Sequence, residues 1–407
     1  MRTAAPSAGA RLDPPAHPQR RGLPLAGLYC ALVAACVWAG PASAQPDVID
    51  VYLMGGQSNM EGVGRTSRIP TGYLPQDSVQ LYHSTGTSSV GGANHWIPNQ
   101  ANGYTGGHFG PEIGMGHELI ELQPDAGVAL IKHANGGTDL AEDWDPGTFG
   151  QTQTYGPEYL AFVNTVAAGL AALAIENPDA EIRLAGMVWQ QGEEDSKFDR
   201  FSADYGQNLA NLVARVREEF ATPDLLFVLG TVHDVVGNEV PVYVYNDRVI
   251  DAQQNIDQYS GHALSVSGVH VVESSGYATH GDVIDGFRDN DFAHFTGDAL
   301  VDLGEAYAWA FTEAESLRGD VSGDRSVGVE DLDILLTNWG QAVTPGDFSA
   351  GDADFSGAVG QGDLDLVLLN WSNGAPPAVE IPEPQSGLIL GSALWALCVS
   401  RGQRAVH

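Results

Sequence analysis

The stretch Val48–Met60 reads VIDVYLMGGQSNM. Its first part, Val48–Met54, is an apolar, β-branched run, which is typical of a strand buried on both faces of a parallel sheet. The run breaks at Gly55-Gly56, where glycine allows a tight turn. Ser58 is then left uncrowded at the start of a helix, as a nucleophile would be. A serine that only caps a helix would look much the same.

Short apolar runs alternate with helical spacing along the following chain. Further strands are predicted at Gly127–Lys132, Arg183–Trp189, Leu225–Val232 and Ala263–Val272. Helices are predicted at Pro157–Ile175, Phe201–Phe220 and Gly297–Leu317. This alternation predicts the α/β class, with a parallel sheet covered by helices on both faces. Functional groups of such sheets gather at the C-terminal ends of strands, and Ser58 falls at such an end.

Composition narrows the possible partners and nucleophiles. The formal charge of the 407 residues is −34, which disfavours nucleic acid as a partner and suits a neutral polysaccharide. Cys30, Cys36 and Cys398 are the only cysteines, and all lie in the terminal apolar runs. The body of the chain therefore has no cysteine nucleophile or cysteine-based metal site, and a nucleophile there must be Ser, Thr or a carboxylate.

Residues 1–44 have the pattern of an export signal. Arg20-Arg21 precede the apolar stretch Leu23–Trp38, and Ala42-Ser43-Ala44 supplies a cleavage site of small residues. A twin-arginine signal and a lipoprotein box ending at Cys36 are the alternatives. The pattern predicts a secreted or cell-surface bacterial protein.

A duplicated loop-helix unit occupies residues 318–373. Asp320, Asp331 and Trp339 recur 32 residues later as Asp352, Asp363 and Trp371. Oxygen atoms converging on a tight acidic loop can surround Ca²⁺. The predicted ligand positions are Asp320, Ser322, Asp324, Ser326 and Asp331 in the first loop, and Asp352, Asp354, Ser356, Ala358 and Asp363 in the second. Asp in place of Glu at the last position reaches less far, and Arg325 stands where glycine would ease the turn.

The unit resembles a type I dockerin, which implies calcium in a small helical module and a cohesin-like partner. Plain acidic loops before amphipathic helices are the alternative. Residues 374–407 form a linker followed by Pro382-Glu383-Pro384, the apolar run Gly387–Val399 and a basic end. This tail resembles a PEP-CTERM sorting signal, which implies transient membrane attachment during delivery to the cell surface. A plain membrane tail is the alternative, although the run is short for a full span.

A serine hydroxyl attacks a carbonyl usefully only if a base takes its proton and donors hold the oxyanion. His294 is the best candidate base, because Asp291 lies three residues before it and can turn back to fix the imidazole. The competing pairs are His280 with Asp282 and His233 with Asp234.

Two further stretches follow predicted strands. Asn135-Gly136-Gly137-Thr138 offers backbone amides for an oxyanion, and Trp189–Asp195 offers an amide side chain and several carboxylates. The adjacent carboxylates at 193–195 are interpreted as loop-fixing groups rather than a glycosidase pair. Trp96, Trp144 and Trp189 could stack on sugar, but buried packing is the more ordinary use.

The order of Gly56–Met60, Gly136–Thr138, Trp189–Asp195 and Asp291–His294 is similar to the SGNH-hydrolase superfamily. More closely, it resembles the sialate O-acetylesterase and acetylxylan esterase branch over Val48–Leu317, within a domain at 45–317. The resemblance implies a flavodoxin-like three-layer α/β/α sandwich.

The resemblance also implies a site. Ser58 would be the nucleophile, His294 the general base and Asp291 the orienting carboxylate, with no cofactor needed for catalysis. The oxyanion donors would be the Ser58 amide, the Gly136 amide in preference to Gly137, and the Gln191 side chain.

The expected function is removal of O-acetyl groups from an acetylated polysaccharide or glycan. The alternatives are a surface or scaffold protein that only binds glycan, and an esterase or lipase acting on a non-sugar ester. The sequence leaves open which sugar carries the acyl group.

Overall fold

The structure, a computed structural model, describes residues 46–84, 93–103, 107–234, 242–282 and 291–372. The predicted export signal at 1–44 and the predicted sorting signal at 374–407 lie outside the described residues.

A seven-stranded sheet forms the centre of the structure. Its strands are β1 (Val48–Gly56), β2 (Gln76–His83), β3 (Ile97–Asn99), β4 (Gly127–Ala134), β5 (Glu181–Gln190), β6 (Leu226–Gly230) and β7 (Val269–Val272). They lie in the order β3-β2-β4-β1-β5-β6-β7, and all neighbours are parallel except β3, which is antiparallel to β2. Without β2 and β3 the order is the 2-1-3-4-5 of flavodoxin-like sheets. The predicted α/β class with a mostly parallel sheet is confirmed.

Helices cover both faces of this sheet. They are α1 (Ser58–Glu61), α2 (Glu112–Leu122), α3 (Pro157–Glu176), α4 (Asp199–Glu219), α5 (Asn246–Asn255) and α6 (Gly297–Ser316). Successive β1 side chains point to opposite faces. Val51 and Leu53 join the apolar core shared with α3, α4 and α5, whereas Tyr52 and Met54 join the core shared with α2 and α6. The result is three layers with β1 near the middle.

Local sequence explains where several of these elements begin and what they require. Pro157 opens α3, since a proline at the first helical position loses no hydrogen bond. The Thr296 side chain caps α6 by accepting from the Ala299 N–H. Gly114 on α2 allows close packing against α6, because a Cβ there would lie 2.0 Å from the Val301 carbonyl oxygen.

The structure differs from the predicted elements in a few places. The predicted strand Ala263–Val272 is shortened to β7, because residues 263–268 form turns. β2, β3, α2 and α5 were not predicted. Two glycines inside α2, Gly114 and Gly116, lower the helical propensity of that stretch.

The duplicated unit forms two acidic loops, each followed by a helix: α7 (Val329–Thr337) and α8 (Gln361–Leu369). Its apolar side chains make a small core of their own, built by Val327, Leu332, Leu335, Val359, Leu364 and Val367. Asp331 and Asp363 cap the two helices by accepting the N–H groups of Gly328 and Gly360, each at 2.7 Å.

This repeat module packs directly on the α/β domain near the start of β6. Arg217 on α4 is buried and donates to the backbone oxygens of Leu225 and Ser267. Its guanidinium also lies 5.2 Å from the ring centre of Phe355 in the second loop. Arg325 in the first loop lies 4.7 Å from the ring centre of Tyr259. These cation–π contacts join the module to the domain, and the Ser267 hydroxyl adds a hydrogen bond by donating to the Gly346 backbone oxygen at 3.0 Å.

Candidate active site

The turn after β1 brings Ser58 to the C-terminal edge of the sheet. Gly56 has φ of 146°, and a Cβ at this position would lie 2.1 Å from the Gln190 backbone oxygen. Only glycine lets β1 and β5 stay this close where the chain leaves the sheet. The Gln57 N–H then donates to the same Gln190 oxygen at 3.0 Å, and α1 begins at Ser58.

Ser58, His294 and Asp291 form one hydrogen-bonded chain. The Ser58 Oγ lies 2.8 Å from His294 Nε2. The His294 Nδ1 lies 3.0 and 2.9 Å from the two carboxylate oxygens of Asp291. Asp291 and His294 follow Ser58 by more than 200 positions in the sequence. The fold therefore brings the three side chains together.

The competing histidines are placed differently. His233 is buried, and its Nε2 lies 2.9 Å from the Tyr277 backbone oxygen. The Asp282 carboxylate accepts the N–H and the hydroxyl of Thr279. The backbone N–H of His280 donates to the His294 carbonyl at 2.9 Å, so the segment holding His280 supports the loop of His294.

The loop Asn135–Thr138 lies beside Ser58, with an added Cβ at Gly136 only 3.3 Å from the Ser58 Cβ. The Gly136 N–H, expected as an oxyanion donor, donates instead to Glu61 Oε2 at 2.9 Å. Gly137 has φ of 74°, which favours glycine. Within the described part of the chain, neither the Gly137 N–H nor the Ser58 N–H donates to a protein acceptor. The Gly136 N–H is thus engaged with Glu61, which leaves the choice of oxyanion donor to the proposal below.

Gln191 also differs from the expected role. Its side-chain nitrogen donates to the Thr138 backbone oxygen at 3.0 Å and to Asp195 Oδ2 at 2.6 Å. Both amide protons are used, and the side chain is fully buried. In this structure Gln191 therefore holds the loop that carries Gly136 and Gly137 in place.

A buried ionic network lies beneath α1. The Lys132 Nζ donates to Glu112 Oε2 at 2.9 Å and to the backbone oxygens of Asn102 and Glu61 at 2.7 and 3.0 Å. Both side chains of the Lys132–Glu112 pair have no exposed surface. Burial raises the pKa of Glu61 to about 7, although the Gly136 N–H and the Lys132 charge oppose the change. Sequence reasoning missed Glu61, whose only signal was its place one turn after Ser58.

The carboxylates at 193–195 each hold a loop. Glu193 accepts from the Asn59 side chain at 2.6 Å, Asp195 accepts the Leu140 N–H at 2.9 Å, and Glu194 pairs with Lys197. Burial raises the pKa of Asp195 to about 7. Trp144 and Trp189 are fully buried and Trp96 nearly so, so all three pack in the core.

The two loops that carry the predicted calcium ligands differ in the arrangement of their carboxylates. In the second loop Asp352, Asp354 and Asp363 each offer an oxygen within 4.8 Å of the others. The Asp352 Oδ1 is buried, with no hydrogen-bond partner in the described chain. Ser356 donates to the Ala358 backbone oxygen there. The second loop fits a cation that needs several converging oxygens.

The first loop does not form such a cluster among the described residues. The Asp320 carboxylate accepts the N–H groups of Gly323, Asp324 and Arg325 and the Ser322 hydroxyl. Its last position, Asp331, accepts the Ser322 N–H at 2.8 Å, and Ser326 has its side chain outside these contacts. Arg325 takes φ of 65°, a left-handed conformation that glycine would adopt with less strain.

The fold and the strand-end groups together fit a carboxylic ester hydrolase, and comparison with known families bears this out. The family model described as carbohydrate esterase, sialic acid-specific acetylesterase, matches residues 48–313. The chain belongs to this family of carbohydrate esterases. No curated protein shows significant sequence similarity to the chain.

Solved structures that the chain matches include a protein from Arabidopsis thaliana, at 19% identity and a TM-score of 0.47, covering 66% of this chain and 98% of that one. NanS matches at 16% identity and a TM-score of 0.48, with the same coverage of both chains. A carbohydrate acetylesterase from Xanthomonas citri matches at 18% identity and a TM-score of 0.40, covering 65% of this chain and 56% of that one.

Proposed function

We propose that this protein removes O-acetyl groups from a carbohydrate through an acyl-enzyme on Ser58, with His294 as base and Asp291 as orienting carboxylate. The observation that carries the proposal is the unbroken chain of hydrogen bonds from Ser58 Oγ through the imidazole to Asp291. Membership of the carbohydrate esterase family supports the substrate class.

In the first step the Ser58 Oγ attacks the ester carbonyl while His294 Nε2 takes the hydroxyl proton. Asp291 accepts from Nδ1, which keeps Nε2 as the basic nitrogen and stabilises the imidazolium that forms. The imidazolium then donates its proton to the departing sugar oxygen. A water molecule, deprotonated by the same nitrogen, cleaves the acyl-enzyme and releases acetate.

The oxyanion of each step needs N–H donors aimed at one point near the Ser58 Oγ. The backbone N–H groups of Ser58 and Gly137 suit this role because neither donates to a protein acceptor in the described chain. Gly136 would take part only if its N–H left Glu61. Gln191 would act indirectly, through the Thr138 carbonyl that it holds.

We further propose that the chain is exported by residues 1–44 and sorted to the cell surface by its tail. In the repeat module the second loop would hold Ca²⁺ through Asp352, Asp354 and Asp363. The ion would stabilise the module and take no part in ester hydrolysis. A cohesin-like partner would bind this module.

The test of the proposed function is acetate release from a small aryl acetate and from a panel of acetylated glycans. We expect Ser58→Ala to abolish turnover with unchanged circular dichroism. Ser202→Ala is the matched control, since this buried hydroxyl bonds only within α4. A Ser58→Ala variant that keeps its turnover would refute the proposal. The glycan that releases most acetate would define the substrate.

A further inference from the structure

We infer that Asn59 is a positioning residue that holds His294 at the correct distance from Ser58. This inference rests on the proposed function, in which His294 is the base. The Asn59 side chain has no exposed surface. Its Nδ2 donates to the Ala293 backbone oxygen at 2.9 Å, and its Oδ1 accepts the Phe295 N–H at 3.1 Å. One side-chain amide therefore bonds to both peptide groups that flank His294.

The Asn59 side chain bonds the backbone on both sides of His294 in the way that a neighbouring β-strand would. A carboxamide offers a C=O and an N–H in one plane, so the Asn59 side chain bonds the 293–295 segment as a neighbouring strand bonds alternate residues. Asn59 directly follows Ser58 on α1, so the amide clamp joins the helix of the nucleophile to the backbone of the base. On the opposite side, the His280 N–H bonds the His294 carbonyl and Thr279 pairs with Phe295.

Glu193 fixes the clamp in turn. The second Asn59 N–H donates to Glu193 Oε1 at 2.6 Å, so both amide protons are used. Glu193 follows β5 and is only 2% exposed, and the other oxygen of its carboxyl group has no partner in the described chain. An asparagine with every hydrogen-bonding group engaged cannot rotate without leaving buried groups unpaired.

The clamp predicts a specific catalytic effect. Without it, the Ala293 C=O and Phe295 N–H lose their partner inside the protein, and the His294 imidazole gains freedom to move. A displacement of about 1 Å of a catalytic group costs about 100-fold in rate. Because Asn59 is fully buried, substrate cannot touch it, and its loss lowers kcat while leaving KM nearly unchanged.

The test compares Asn59→Ala with a matched control, Asn99→Ala. Asn99 is only 1% exposed and donates two hydrogen bonds, to Gln76 Oε1 and the Glu112 backbone oxygen, neither of which belongs to the hydrogen-bonded chain of Ser58, His294 and Asp291. We expect the melting temperatures of the two variants to fall by similar amounts. Only Asn59→Ala should lose about 100-fold in kcat and in the rate at which a fluorophosphonate labels the protein.

Glu193 supplies the rescue experiment. Glu193→Gln keeps an oxygen acceptor for Asn59, so we expect kcat within about 3-fold of the wild type. Glu193→Ala removes that acceptor and should lower kcat by about 10-fold or more, again with little change in KM. Asn59→Asp replaces both N–H donors by an acceptor and should be at least as inactive as Asn59→Ala.

The inference is overturned if folded Asn59→Ala keeps kcat and labelling rate within about 3-fold of the wild type. It is also overturned if Asn99→Ala loses as much kcat as Asn59→Ala, since the effect would then be general destabilisation. A wild type that is labelled but releases no acetate would refute the proposed substrate alone, because the labelling rates still test the clamp. A wild type that is never labelled would refute the nucleophile and the clamp together.

Discussion

Replacing Glu61 by glutamine would remove a titrating group from beneath Ser58 while keeping the shape of the side chain and an oxygen to accept the Gly136 N–H. Glu61 is only 5% exposed, and burial raises its pKa from 4.5 to about 7. The native protein therefore holds this proton more tightly than the unfolded chain does. The contribution of Glu61 to the free energy of unfolding is therefore greatest below pH 4.5, and it is lost as the pH rises to about 7.

The size of the effect follows from the two pKa values. At about 1.4 kcal/mol for each pKa unit, the difference between 4.5 and about 7 corresponds to about 3 kcal/mol. Asp195, whose pKa is also raised to about 7 by burial, adds a slope of the same sign in both proteins. The difference between wild type and Glu61→Gln isolates the contribution of Glu61.

The assay is denaturant unfolding of both proteins at several values between pH 4 and pH 8 and constant ionic strength. We expect the stability of Glu61→Gln relative to the wild type to increase by about 3 kcal/mol between pH 4.5 and pH 7, and to be level outside that range. A difference that does not change with pH would show that Glu61 has the same pKa in the folded and unfolded protein, which contradicts the prediction. A difference that changes in the opposite direction would also contradict it, because Glu61 would then be well satisfied as a carboxylate.

Other predictions follow from the same contacts. Lys132→Met leaves the buried Glu112 carboxylate without its cation and should lower the free energy of unfolding by about 3–5 kcal/mol; adding Glu112→Leu should restore part of it, as thermal melting would measure. If the second acidic loop binds Ca²⁺, the ion at about 100 times its Kd should stabilise the protein by about 2.7 kcal/mol. Asp354→Asn should remove this response and Asp324→Asn, in the first loop, should retain it. Asp291→Asn should lower kcat by about 10³–10⁴-fold through loss of the correct imidazole tautomer, and an unchanged kcat would exclude Asp291 as the orienting group.

The sequence predicted the parts of the fold that depend on local pattern. β1, β4, β5 and the long helices α3, α4 and α6 were placed within a few residues, because buried parallel strands read as continuous apolar runs and amphipathic helices carry a periodic pattern. β3 and α5 are short, and α2 contains glycines, so their formation depends on tertiary packing. The Gly114 contact with α6 is an example that no local pattern reveals.

The site divides in a similar way. The sequence predicted Ser58, Asp291 and His294 as site residues because their order and spacing are typical of a serine hydrolase. The structure places the three side chains within hydrogen-bond distance of one another along the chain Ser58–His294–Asp291. The acceptor of each backbone N–H in the loop at Gly136-Gly137 could not be predicted from the sequence. Whether Gly136 or Gly137 keeps a free amide depends on where Glu61 points.

Positioning groups are equally hidden in the sequence. Asn59 stands beside Ser58 in the motif, but its partners Ala293 and Phe295 come from the other end of the domain. Glu193 offered only a carboxylate in a loop. Such positioning roles depend on contacts between residues far apart in the sequence, and these contacts cannot be predicted from a single sequence.

The most direct test of the proposed nucleophile is to react the protein with a fluorophosphonate and identify the modified residue by peptide mass mapping. Attack by the serine oxygen on phosphorus releases fluoride and leaves a stable adduct on the nucleophile. We predict a single adduct on Ser58, with acetate release falling in proportion to the fraction labelled. An adduct on a different residue, or complete labelling of Ser58 with turnover retained, would contradict the account.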